Sequence, residues 1–198
     1  ARSAAAPAAA ARAAALPALG TPALVCLVAL VIMAYSFPLP FLPAYLRSLG
    51  KSTSQMALLA SLYSYSALLA GVLLLRLQGR QIQDLSARSR WLALAVGSLL
   101  MTAISAALAL APSFEAILAA RCLQGAVSQV CWSYALALGM RLEPVFGASC
   151  VAWICCGESL GELLGPWFGS ALYQVGGVRR PFAVATAAML LNTGLLGA

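Results

Sequence analysis

The sequence predicts an all-α, polytopic membrane bundle of six transmembrane helices, and three observations predict it. Of its 198 residues, 63% are hydrophobic and only 9% are charged, where a soluble domain carries about 25% charged residues. So few charges cannot coat a soluble exterior. The apolar runs are also long enough to cross a bilayer, which takes about 20 residues of helix for roughly 30 Å of hydrocarbon. Between the runs stand short breaks rich in Gly, Pro and charge, the residues of loops.

Residues 1–20, "ARSAAAPAAAARAAALPALG", are of low complexity, with twelve alanines, two arginines and no acid. They read as a disordered Ala-rich tail, or else as the remnant of an Arg-bearing organelle transit peptide. The first residue is Ala, so the natural start is expected upstream. A membrane domain over 21–198 follows, with apolar segments at 23–46, 55–77, 91–111, 114–140, 147–174 and 181–198. The breaks are "RSLGKSTS", "QGRQIQDLSARSR", "APS", "RLEPVFG" and "VGGVRRP".

Positive charge then orients the bundle. With the N-terminus inside, the inner side holds Arg2, Arg12, Arg76, Arg80, Arg88, Arg90 and Arg141, and the outer side Arg47, Lys51, Arg179 and Arg180. The net charge of +7 is thereby read as orientation and lipid-surface charge, and not as a nucleic-acid patch.

"GESLG" at 157–161 matches the G-x-S-x-G nucleophile elbow, which raises a serine on a strand-to-helix turn. The chain contains no histidine, so a Ser-His-acid triad cannot be assembled from it. No alternating strand pattern precedes Ser159 either. An enzyme is not expected. The six cysteines all fall in apolar stretches and read as small packing residues. No metal or cofactor is called for.

Several stretches carry a family resemblance. "PFLPAYLRSLGKSTSQ" looks like the Pro-rich exit of the first helix in the major facilitator superfamily. "GRQIQDLSARSR" resembles that superfamily's cytoplasmic loop motif, with Asp84 at its acid and Arg88 at its later arginine. Leu85 and Ala87 stand where the family has Arg and Gly, and Gly79 lies one residue too far upstream. "RCLQGAVSQ" resembles the Arg-and-Gly motif of the fourth helix. "GESLGELLGPWFGSALYQVGG" is similar to the fifth-helix motif of the drug:proton antiporter branch, and the whole is loosely similar to vesicular amine and polyamine transporters. The resemblance implies the N-terminal six-helix half of a twelve-helix transporter, whose C-terminal half is absent from this chain.

In the fifth segment Gly157, Gly161, Gly165 and Gly169 recur every four residues, with Pro166 beside the third. That spacing makes one smooth ridge on a helix and lets a neighbour come close. Buried charge is where chemistry is expected, because a charge at mid-membrane costs roughly 2.5–3.5 kcal/mol on insertion scales. Arg121 lies about seven residues into the fourth segment, roughly 10 Å deep. Glu158 and Glu162 sit one turn apart, about 100° round the helix from the ridge. Desolvation favours the neutral form of a carboxylate and a nearby arginine its charged form, the balance a proton carrier needs. Two readings stand: Arg121, Glu158 and Glu162 couple proton movement, or they form a structural ion pair between the two helices. Tyr35, Ser36, Phe37, Tyr63 and Tyr65 could line a cavity through hydroxyl and cation–π contacts, or sit in the core or the interfacial belt. The first segment has no acid, where amine transporters of the resembled branch keep an Asp, which counts against a cationic amine.

The expected function is secondary active transport of a small organic solute by alternating access, with proton-coupled antiport as the leading form. The alternatives are an uncoupled facilitator, a non-transporting membrane scaffold, or a channel subunit. The partners implied are the lipid bilayer, the solute, protons and the missing six-helix half. One prediction closes the hydrolase question. Fluorophosphonate probes should fail to label the chain and Ser159→Ala should leave its activity intact; stoichiometric labelling at Ser159 would overturn the transporter reading.

Overall fold

A computed structural model describes residues 20–78, 86–110, 113–142 and 147–197, and among them every element is a helix. In chain order these are α1 (Gly20–Ser36), α2 (Leu42–Ser48), α3 (Thr53–Gln78), α4 (Ala87–Leu110), α5 (Phe114–Leu142), α6 (Gly147–Gly176) and α7 (Arg179–Gly197).

Local chemistry sets most of the boundaries. Ser52 caps α3 through a reciprocal pair: its hydroxyl accepts from the Gln55 N–H at 3.3 Å, and Gln55 Oε1 accepts from the Ser52 N–H at 2.9 Å. Ser86 and Ser113 accept from Ser89 and Ala116 in the same way at the starts of α4 and α5. Gly50 ends α2 in the left-handed region, at φ 70°. There its N–H reaches the Arg47 carbonyl, and Lys51 N–H that of Leu46.

The first apolar segment, expected as one run over 23–46, is two helices. Pro38 and Pro40 stand between α1 and α2, and proline has no N–H to give to the carbonyl four residues back. The Leu39 N–H turns to Ser36 O at 3.1 Å, away from its usual acceptor, the Tyr35 carbonyl. The break therefore leaves an open acceptor at the end of α1.

α1 is the axis of the bundle. Its Leu24, Leu27, Val28 and Val31 pack with Leu94 and Met101 of α4, Tyr134 and Leu138 of α5, Ile154 of α6 and Met189 of α7. A second apolar cluster gathers under α2, where Phe41 and Leu46 meet Leu59, Leu108, Ile117 and Phe182. The tightest seam joins α1 and α6. A Cβ on Gly157 would lie 2.8 Å from the Val25 carbonyl, and one on Gly161 2.5 Å from that of Ala29. On Gly165 and Gly169 it would run into the Ser36 hydroxyl and the Phe37 carbonyl. Ser36 adds a hydrogen bond across the seam, donating to Gly161 O at 2.9 Å.

Thr53–Arg76 and Arg88–Leu110 are long and apolar enough to cross a membrane, while Thr21–Ser36 is apolar but shorter. The expectation of six spans is thus met by apolar length in two described helices. α5 and α6 exceed the needed length, but Arg121, Gln124, Glu158 and Glu162 interrupt their apolar runs. Arg90, expected in a loop, is instead buried at the start of α4 and donates to Ala137 O of α5 at 2.7 Å.

The seam generates a prediction. Gly165→Ala should destabilise the protein by about 1–3 kcal/mol, the cost of overpacking a filled site. Gly194→Ala, where a Cβ would meet nothing, should leave stability within about 0.5 kcal/mol. Thermal unfolding in detergent distinguishes the two, and equal behaviour would mean that the seam is looser than described.

Candidate functional site

Four helices converge on a cavity of about 190 Å³. It is lined by Ile32 and Tyr35 of α1, Tyr63 and Ala67 of α3, Ser128, Gln129 and Trp132 of α5, and Glu158 and Glu162 of α6. A larger cavity of about 450 Å³ lies where α1 and α6 begin, among Thr21, Pro22, Val25, Cys26, Ser149, Cys150 and Trp153. It is apolar and carries no charged side chain. The charged side chains are in the smaller one.

Two glycine contacts build this smaller site. The α6 ridge holds Gly161 and Gly165 against α1, and the acids ride beside it. Glu158 is half-buried and Glu162 exposed, both lining the cavity opposite Tyr35 and Tyr63. On α5, a Cβ at Gly125 would strike the Tyr63 carbonyl and the Ser66 hydroxyl, so α3 comes up against α5 only because position 125 is glycine. That approach places the Tyr63 hydroxyl 2.7 Å from Ser128 Oγ. It also stacks the Tyr63 ring on Tyr35, with centroids 3.8 Å apart.

Arg121 stands behind this aromatic wall. It is 2% exposed, and its Nη1 donates to the open Tyr35 carbonyl at 2.7 Å. Its guanidinium carbon lies 5.3 Å from the centre of the Tyr35 ring. A charge-assisted hydrogen bond and a cation–π contact together offset part of the cost of burying this cation. Its Nη2 is buried without a partner. Among the described residues neither Glu158 nor Glu162 forms an ion pair with it. Arg121 is the cap of the broken first helix.

The other residues singled out in the sequence divide. Tyr35 and Tyr63 line the cavity; Ser36 is buried in the α1–α6 seam, and Tyr65 is 65% exposed on α3, away from it. Arg88 is exposed in the first turn of α4, and Asp84 lies outside the described residues. Pro166 sits inside α6, where it removes the helical donor to the Glu162 carbonyl. Ser159 is exposed in mid-helix, with no strand-to-helix turn to raise it. Sequence reasoning missed Ser128, Gln129 and Trp132. Their signal was the helical spacing: Arg121, Gly125, Ser128 and Trp132 recur at three- and four-residue steps along α5.

Comparison with known families finds that the model described as Major Facilitator Superfamily matches residues 24–197. No curated protein matches the chain.

Arg121→Met should lower stability by about 1.5–3 kcal/mol, the worth of a hydrogen bond from a charged group. Adding Glu158→Gln or Glu162→Gln should give no recovery, as read from thermal unfolding of the single and double variants. Recovery in a double variant would identify an ion pair and contradict the helix-cap assignment.

Proposed function

The chain belongs to the major facilitator superfamily, and on that footing we propose that it is part of a secondary active transporter that exchanges a small organic solute for protons. Members of the superfamily are transporters acting in membranes. The finer reading rests on one observation: two carboxylates, one helical turn apart, line an aromatic-walled cavity without a paired cation.

Like charges one turn apart repel, so the pair holds one positive ligand, proton or solute, more readily than none. A site that can take either but not both ties their movements together. The aromatic rings of Tyr35, Tyr63 and Trp132 add cation–π attraction. Although α1 supplies no acid, α6 supplies two to the same space, and the solute that fits this chemistry is small and positively charged. Alternating access would follow as this helical unit rocks against a second one around the site. Occupancy of the acids would bias the populations of the two states. The branch resemblance to drug:proton antiporters fits this reading through the glycine ridge and Pro166.

Substitution at the acids tests the coupling. Glu158→Gln and Glu162→Gln keep shape and hydrogen bonding but cannot ionise. In proteoliposomes of the full-length protein, at least one should abolish uphill transport driven by a pH gradient while leaving exchange at equal pH measurable. Intact pH-driven uptake in both would rule out these acids as the coupling groups, and uptake indifferent to the gradient in the unsubstituted protein would favour an uncoupled facilitator.

A further inference from the structure

The hydroxyl network behind the cavity has a direction. Ser128 Oγ donates its single hydrogen to the Gly125 carbonyl at 3.0 Å, in a buried bond. A serine hydroxyl has one proton to give. With that bond made, Tyr63 Oη is left as the donor in its 2.7 Å contact with Ser128 Oγ. The chain runs from Tyr63 to Ser128 to the Gly125 carbonyl, and it consumes the Tyr63 proton. What Tyr63 retains is a phenolic oxygen that can only accept. Tyr63 is nearly buried and lines the same cavity as Glu158 and Glu162. Three acceptors of this space, two of them carboxylate, thus want N–H or O–H donors from whatever binds.

We infer that the cavity selects cations that carry N–H donors over their fully alkylated counterparts, and that Tyr63, oriented by Ser128, is the specificity-determining residue. A primary ammonium has three donors to offer these acceptors; a quaternary ammonium has the same charge and none. The aromatic walls attract both alike, so the rings cannot make the distinction and the hydrogen-bond acceptors must. A site whose buried acceptors go unpaired with the wrong ligand discriminates strongly against it. The inference rests on the reading that the cavity takes a positive solute.

The test is a methylation series, from butylammonium to butyltrimethylammonium, titrated calorimetrically into the purified full-length protein. Affinity should fall by roughly tenfold to a hundredfold across the series, the loss of one or two charge-assisted hydrogen bonds. Tyr63→Phe should flatten the series by removing the acceptor. Ser128→Ala should flatten it too, by freeing the Tyr63 proton to turn into the cavity. Equal affinity for both cations in the unsubstituted protein would overturn this inference and leave the cation reading standing. Binding of neither would overturn both. A steep series preserved in Tyr63→Phe and Ser128→Ala would place the discrimination in the carboxylates and remove Tyr63 from the role.

Discussion

The close approach of α1 and α6 is the constraint on which the rest depends. Four glycines at four-residue spacing remove every Cβ from one face of α6, and the backbone carbonyls of Val25, Ala29 and Phe37 occupy the space. Once that contact is made, the rotation of α6 about its axis is no longer free. Glu158 and Glu162 each follow a ridge glycine by one position, so they must emerge beside α1 and not against it. Their presence in one cavity with Tyr35 follows from the spacing of the glycines.

A second consequence concerns the arginine. A buried guanidinium in a membrane helix is expensive and needs acceptors. The broken end of α1 supplies one: the helix is interrupted at Pro38 and Pro40, and the Leu39 N–H that would reach the Tyr35 carbonyl turns to Ser36 O instead. The defect in one helix and the charge in another compensate each other. Arg121 then holds the Tyr35 backbone while its guanidinium lies over the ring, and Tyr63 stacks on that same ring. Helix break, buried cation and aromatic wall make one unit, with the acids on the far helix completing the site.

Much of this was legible in the sequence, and the parts that were not share a cause. The glycine ridge, the acids and Arg121 stand out because residues of special size or charge recur at helical spacing. The pairing of Arg121 was not legible: an arginine and two carboxylates on neighbouring helices suggest an ion pair, and only the geometry shows the guanidinium spent on a carbonyl. The two prolines that interrupt α1 were visible in "FPLPFLP", but the open Tyr35 carbonyl beside them is read only when the partner helix is in place. Ser36 and Tyr65 looked alike as polar or aromatic residues near the cavity; one lies in the seam and the other faces outward. Ser128 carries no charge and drew no notice, yet its hydroxyl bridges Tyr63 and the Gly125 carbonyl.

Whether the acids face an aqueous space is the point on which the functional reading turns, and accessibility of a thiol measures it. In a cysteine-free background of the full-length protein, Glu162→Cys and Leu191→Cys would each be exposed to a membrane-impermeant, positively charged methanethiosulfonate. Both positions are exposed on the described unit, but only 162 lines the cavity. The arrangement predicts fast modification at 162 and slow modification at 191 on α7. Modification at 162 no faster than at 191 would place the acids in lipid or protein and contradict a shared proton and solute site.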